Sequence, residues 1–92
     1  MKYIKKSLEV EAKQFTNEEK NVVYTWALSI QGNVYHDWDQ EGRPVLKIPT
    51  KEGEMECSIG DFLIKEPFAS DDRRIYPCKP DIFEKTYDPV EN

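Results

Sequence analysis

One histidine, two cysteines and no uninterrupted hydrophobic run longer than three residues set the first limits on this 92-residue chain. A closed structural zinc site takes four Cys or His ligands, and three such residues cannot fill it. A bilayer-spanning helix takes roughly 20 apolar residues. The richest segment here, residues 22–30, is interrupted by Thr25 and Ser29. At the start, Lys2, Lys5 and Lys6 run into Glu9 and Glu11, where a secretory signal needs an apolar stretch. The expectation is therefore a chain that stays in the cytoplasm, touches no membrane, and keeps Cys57 and Cys78 as free thiols. Positive charge is also short, since 18 Asp and Glu against 13 Lys and Arg leave a net charge of −5. Such a surface repels a phosphate backbone, so no direct DNA or RNA binding is expected. The charge is moderate and interspersed with lysines, which makes mimicry of nucleic acid by carboxylates the weaker reading.

What is present suits one small core: 38% of the residues are hydrophobic, enough for a single domain over residues 1–92 with residues 89–92 fraying. Leu8, Val10 and Ala12 alternate with Glu9, Glu11 and Lys13, the period of a strand with one buried face, and predict a strand over residues 5–15. Thr16-Asn17-Glu18-Glu19 reads as a capping box opening a helix over residues 16–30. Val22, Val23, Trp26, Ala27 and Ile30 form its apolar stripe, and Gln31-Gly32-Asn33 its stop.

Short runs then follow at 34–38, 44–49, 54–59, 62–66 and 73–78, separated by turn residues, and read as a strand meander. Gly42, Gly53 and Gly60 fall where positive φ is needed, the last at the third position of a type II turn over Ser58-Ile59-Gly60-Asp61. The run 54–59 is expected to pair with 62–65, and the link 67–72 to be a mobile loop. Pro80 and Asp81 open a helical turn that carries Ile82, Phe83 and Tyr87 back onto the sheet. The expected fold is α+β: a curved antiparallel sheet of about five short strands, packed on one N-terminal helix or closing towards a barrel, with a short C-terminal helical turn.

Several strings are recognisable. Ile48-Pro49-Thr50, Glu52-Gly53-Glu54-Met55, Gly60-Asp61-Phe62-Leu63-Ile64-Lys65 and Tyr76-Pro77-Cys78-Lys79-Pro80-Asp81-Ile82-Phe83-Glu84-Lys85-Thr86-Tyr87, with Val10-Glu11-Ala12 and Gln14-Phe15, resemble a family of small phage and prophage proteins. The resemblance implies a phage- or prophage-encoded accessory protein in the host cytoplasm, and brings no catalytic residues with it. Two departures stand out. Ile59 precedes Gly60-Asp61 where the family commonly has proline, and residues 67–74, with two acids and two arginines, replace a shorter glycine-containing loop.

The chemistry-bearing residues are sparse. His36, Asp37 and Asp39 crowd together, but strand spacing puts His36 opposite the two aspartates, so they read as a solvated strand end and no metal is expected. Cys57 sits on an apolar face and reads as core. Cys78 beside Lys79 could have a lowered thiol pKa, yet packing is its simpler role. Glu54, Glu56, Asp61 and Glu66 read as the solvent face of strands rather than an acid/base pair, and no enzyme activity or cofactor is expected. Arg73, Arg74, Tyr76 and Lys79 form the one local cationic cluster with an aromatic. Balance against Asp71 and Asp72 explains them simply. The functional version is an anionic, nucleotide-like ligand held by Arg and Lys, its base stacked on Tyr76 or Trp38. The leading expectation is a non-catalytic protein that binds a host component, such as a protein of an antiviral defence system. A small-ligand sequestering module, oligomeric with copies of itself, comes second, and a minor virion or assembly component third.

Overall fold

The computed structural model of the chain describes residues 1–3, 9–70 and 73–89, and side chains at all of these except 68–70 and 73. The elements in order are β1 (Ala12–Gln14), α1 (Lys20–Ile30), β2 (Tyr35–Trp38), β3 (Pro44–Thr50), β4 (Gly53–Ser58), β5 (Phe62–Ser70), β6 (Arg73–Cys78) and α2 (Pro80–Thr86). The fold is α+β and strand-rich. Its six strands form two antiparallel three-stranded sheets, β1-β5-β6 and β2-β3-β4, instead of one five-stranded sheet, and among the described residues neither closes into a barrel.

The reason is the corner at Ser58-Ile59-Gly60-Asp61. The turn itself is the expected one, with Asp61 N donating to Ser58 O at 3.0 Å and Gly60 at φ 97°. It does not fold β4 back onto β5, however, because its backbone is engaged elsewhere. Gly60 N donates to Phe15 O at 2.7 Å and Phe15 N to Asp61 O at 2.8 Å, which places β5 beside β1, with Ala12 opposite Ile64. β4 pairs instead with β3, Leu46 facing Cys57 and Lys47 facing Glu56. The turns at Gly42 and Gly53 have the expected positive φ.

Of the strand expected over 5–15, Ala12–Gln14 is observed, and residues 5–8 lie outside the described residues. β5 runs on to Ser70, where a loop was expected, and pairs with β6 through a register shift between Lys65 and Ser70. Residues 71 and 72 of that link, and 90–92 of the expected fraying end, are likewise outside the described residues.

The helix starts one turn later than expected. Glu19 N does donate to Thr16 Oγ1 at 3.1 Å, but this bond organises a turn over 17–19, and α1 begins at Lys20. The buried face is also rotated. Val23 and Ala27 are buried, and Tyr24, Trp26 and Ile30 pack against the core, whereas Val22 is 54% exposed. Tyr24 turns inward to meet His36 on β2, with ring centroids 3.8 Å apart.

The helix stop is different in kind. Gly32 has no positive φ; α1 ends because Gln31 is extended and its side chain is taken by other elements. Gln31, buried, donates from Nε2 to Pro49 O (3.3 Å) and Asn33 Oδ1 (3.1 Å), while Oε1 accepts from Arg74 N (3.0 Å). One amide thus joins α1, β3 and β6.

The core lies between the sheets and α1: Phe15, Val23, Ala27, Val34, Leu46, Ile48, Cys57, Leu63 and Ile75. α2 covers the opposite face of β1-β5-β6, where Phe83 stacks on Phe62 at 3.8 Å and 6°. Ile82, expected on the sheet, is 54% exposed.

Candidate functional site

The cationic cluster is held by the fold. Lys79 Nζ lies 3.0 and 3.2 Å from the two oxygens of Asp61, whose side chain is only 5% exposed and also accepts from Ser58 N at 2.9 Å. This pair ties the chain entering α2 to the corner between the sheets. Tyr76 exchanges a 3.0 Å hydroxyl bond with Tyr87, which keeps the end of α2 on β6. Burial, followed by that bond, raises the Tyr76 pKa. Arg74 is exposed, and the side chain of Arg73 is outside the described set. Trp38 lies in the other sheet, opposite Pro44 at the end of β2. Of the residues expected to hold an anionic ligand, Lys79 and Tyr76 have structural partners, and Trp38 lies in the other sheet.

Two of the strings singled out in the sequence meet in the same place. Gly60-Asp61-Phe62 supplies the corner, the buried carboxylate and the stacking ring. Tyr76, Lys79, Phe83 and Tyr87 supply their partners. These residues explain how α2 is attached.

Neither thiol has a lowered pKa. Cys57 is fully buried and its pKa is pushed up to about 12, by burial first and then by the Asp61 charge. Cys78 is raised too, by burial and by Asp61 and Asp81. The lysine expected to lower it, Lys79, points to Asp61 instead. Both are free. His36 packs on Tyr24, and among the described residues no group of three His, Cys, Asp or Glu side chains converges as metal ligands.

The remaining surface is the outer face of β2-β3-β4. Register aligns Tyr35, Lys47 and Glu56 in one row across the three strands, and period-two alternation puts Asp37 and Glu54 on the same face. Lys47 Nζ pairs with Glu56 at 2.9 Å, and the Tyr35 hydroxyl donates to Glu54. The bond to Glu54 is the main reason the Tyr35 pKa rises. Lys47 is raised chiefly by Glu56, with Glu54 and Asp37 adding to it, so these carboxylates act on one another's neighbours through a common field.

At the end of this face the hairpin tip curls over. Asp39 Oδ1 accepts from the amides of Glu41 and Arg43, both at 2.9 Å, and Arg43 bridges Asp39 (3.1 Å) and Glu41 (2.6 Å). The amide bond from Arg43 is the largest cause of Asp39's lowered pKa. Between tip and face lies an open cleft of about 440 Å³ lined by Trp38, Asp39, Gln40, Glu41, Lys47 and Glu56. Trp38 is 64% exposed, and its own amide is closed off by Asp37 Oδ1 at 2.8 Å.

Sequence reading picked out Trp38 but set it beside the wrong partners. It read Glu56 as an ordinary solvent-facing residue and did not single out Lys47, since only the register places them beside the tip. Among the described residues no helix is long and apolar enough to cross a membrane. Comparison of the chain with protein-family models, with curated proteins and with solved structures gives no match.

Proposed function

We propose that this chain is a phage- or prophage-encoded accessory protein that acts in the host cytoplasm by binding a host protein, in counter-defence, and performs no covalent chemistry. The phage assignment rests on the sequence resemblance. The binding reading is supported by one observation, the unequal use of polar side chains. The residues best suited to hold a small anion, Lys79 and Tyr76, are engaged with Asp61 and Tyr87. The exposed Trp38 instead borders an open cleft on the other sheet, and tryptophan is among the residue types most enriched where proteins bind proteins. The raised thiol pKa values, and the packing of His36 against Tyr24, favour binding over nucleophilic chemistry in this reading.

The test is capture from a bacterial host lysate on the immobilised full chain, with mass spectrometry of retained proteins and of small molecules released on denaturation. Retention of one host protein in near-equal amount is the expected result. A nucleotide-like molecule in near-equal amount, with no protein, would replace this reading with the sequestering module. Retention of neither would overturn it.

A further inference from the structure

No residue of α2 is buried. Among the described residues three polar or aromatic contacts hold it to β1-β5-β6, spaced along its length: Lys79, at its N-cap, on Asp61 at 3.0 Å; Phe83, in its middle, stacked on Phe62 at 3.8 Å; and Tyr87, at its C-cap, sharing a 3.0 Å hydroxyl bond with Tyr76. Helices shorter than about 12 to 15 residues are marginal on their own in water. With seven residues, α2 is a helix only while it is docked.

What it covers is apolar. Alternation puts Phe62 and Ile64 on the face of β5 opposite Leu63, and register sets Ala12 and Tyr76 on either side of Ile64. Leu63 belongs to the core between the sheets and α1, whereas Ile64, just as completely buried, lies outside that core. α2 itself contributes no side chain to the common core and no strand to either sheet. Lifting it breaks no strand pairing.

We propose that α2 is a latch that docks and undocks as one unit while both sheets stay folded. Closed, it withdraws the apolar face of Phe62, Ile64 and Tyr76; open, it presents that face to whatever the protein meets. Openings of this kind are drawn from elements with few buried contacts, and α2 has the fewest of any helix or strand that is fully described. Trp38 and the cleft belong to the other sheet, so the latch and the capture of a host protein stand on separate residues.

The test is native-state hydrogen exchange of the full chain, followed at single amides by NMR. The amides of residues 83–87 are bonded within α2 or at its end, Phe83 N to Lys79 O at 2.8 Å and Tyr87 N to Phe83 O at 2.9 Å. All five are expected to share one opening equilibrium and to exchange at least about a hundredfold more readily than the amide of Ile64 in the central strand. Urea below the unfolding transition should speed exchange steeply at Ile64 and little at the five, because a latch opening exposes far less surface than unfolding does. Tyr76→Phe lies outside α2 and removes only a hydroxyl, so it should raise exchange about fivefold at all five amides together. Protection that declines residue by residue from Phe83 to Tyr87, or a Tyr76→Phe effect confined to Thr86 and Tyr87, reduces the opening to fraying of a helix end and overturns the latch. Equal rates and equal urea dependence at α2 and Ile64 would mean that α2 leaves only when the whole molecule unfolds, which overturns it as well.

Discussion

The two sheets are alike in size and unlike in what their polar residues do. β1-β5-β6 is covered on both faces, by α1 with the common core and by α2, and its charged and aromatic groups meet one another: Asp61 with Lys79, Phe62 with Phe83, Tyr76 with Tyr87. β2-β3-β4 is covered on one face. Its other face pairs Lys47 with Glu56 and Tyr35 with Glu54 in contact with water. A buried polar group that loses its partner is costly, whereas an exposed pair contributes little to stability. The covered sheet is therefore where substitution damages the fold, and the open sheet is where substitution changes what the protein can meet.

The sharpest way to break this contrast is to remove one carboxylate from each sheet. Asp61→Ala leaves the Ser58 amide without its charged acceptor and frees the mostly exposed Lys79, and is expected to cost about 3 kcal/mol in urea unfolding. Glu56→Ala, measured alongside, should leave the midpoint unchanged. Similar losses at both positions would show that the open face is as structural as the covered one.

Gln31→Ala comes next. It deprives the Arg74 amide and the Pro49 carbonyl of their partner where the sheets and α1 meet, and a loss of about 2 kcal/mol is expected from thermal unfolding. The corner between the sheets should respond less: Gly60→Ala, forced to φ 97°, costs about 1 kcal/mol. At the neighbouring position Ile59→Pro is expected to stabilise by about 0.5 kcal/mol, because the residue is exposed, its amide donates no hydrogen bond among the described residues, and proline restricts the unfolded chain. A destabilised proline variant would mean that the corner is not a relaxed type II turn.

The smallest effect is a pH dependence on the open sheet. Asp39 has a carboxyl pKa below its ordinary 3.8. Its folded pKa lies below the unfolded one, so its contribution is present above the unfolded value and is lost as pH falls through the folded value. Asp39→Asn should therefore show a shallower loss of stability than the parent between about pH 4 and about pH 2. Parallel curves would remove the hairpin tip as a source of acid sensitivity.

What could be read from the sequence was what local geometry dictates. The bounds of β3, β4 and β6 followed, to within a residue, from short runs set between turn residues, and the positive φ of Gly42, Gly53 and Gly60 from turn chemistry. The partner of β4 did not follow, because the runs on either side were equally close in sequence, and the choice is made by Phe15, far away along the chain. The helix face was misplaced by one residue for a similar reason. Val22 and Tyr24 are both apolar enough to bury, and it is His36 that draws Tyr24 inward. Gln31 gave no signal, since a glutamine before glycine reads as a loop residue until three elements converge on its amide. For the site, adjacency in sequence suggested that Arg74, Tyr76 and Lys79 act together. Asp61, 18 positions before Lys79, decides otherwise.

The bonds between Phe15 and the corner also order events in time. β2-β3-β4 is built from two hairpins whose strands are neighbours in sequence, and such hairpins close within microseconds. β1 can be fixed only after the intervening chain has brought Ile64 back to Ala12, a closure that carries the largest entropic cost of any pairing in the molecule. The open sheet is thus expected to form early and β1 to dock late. Substitutions in the hairpin turns at Gly42 and Gly53 should then slow folding in stopped-flow measurements, and Phe15→Leu should chiefly speed unfolding. The sheet with the open face would exist before the rest of the molecule is complete.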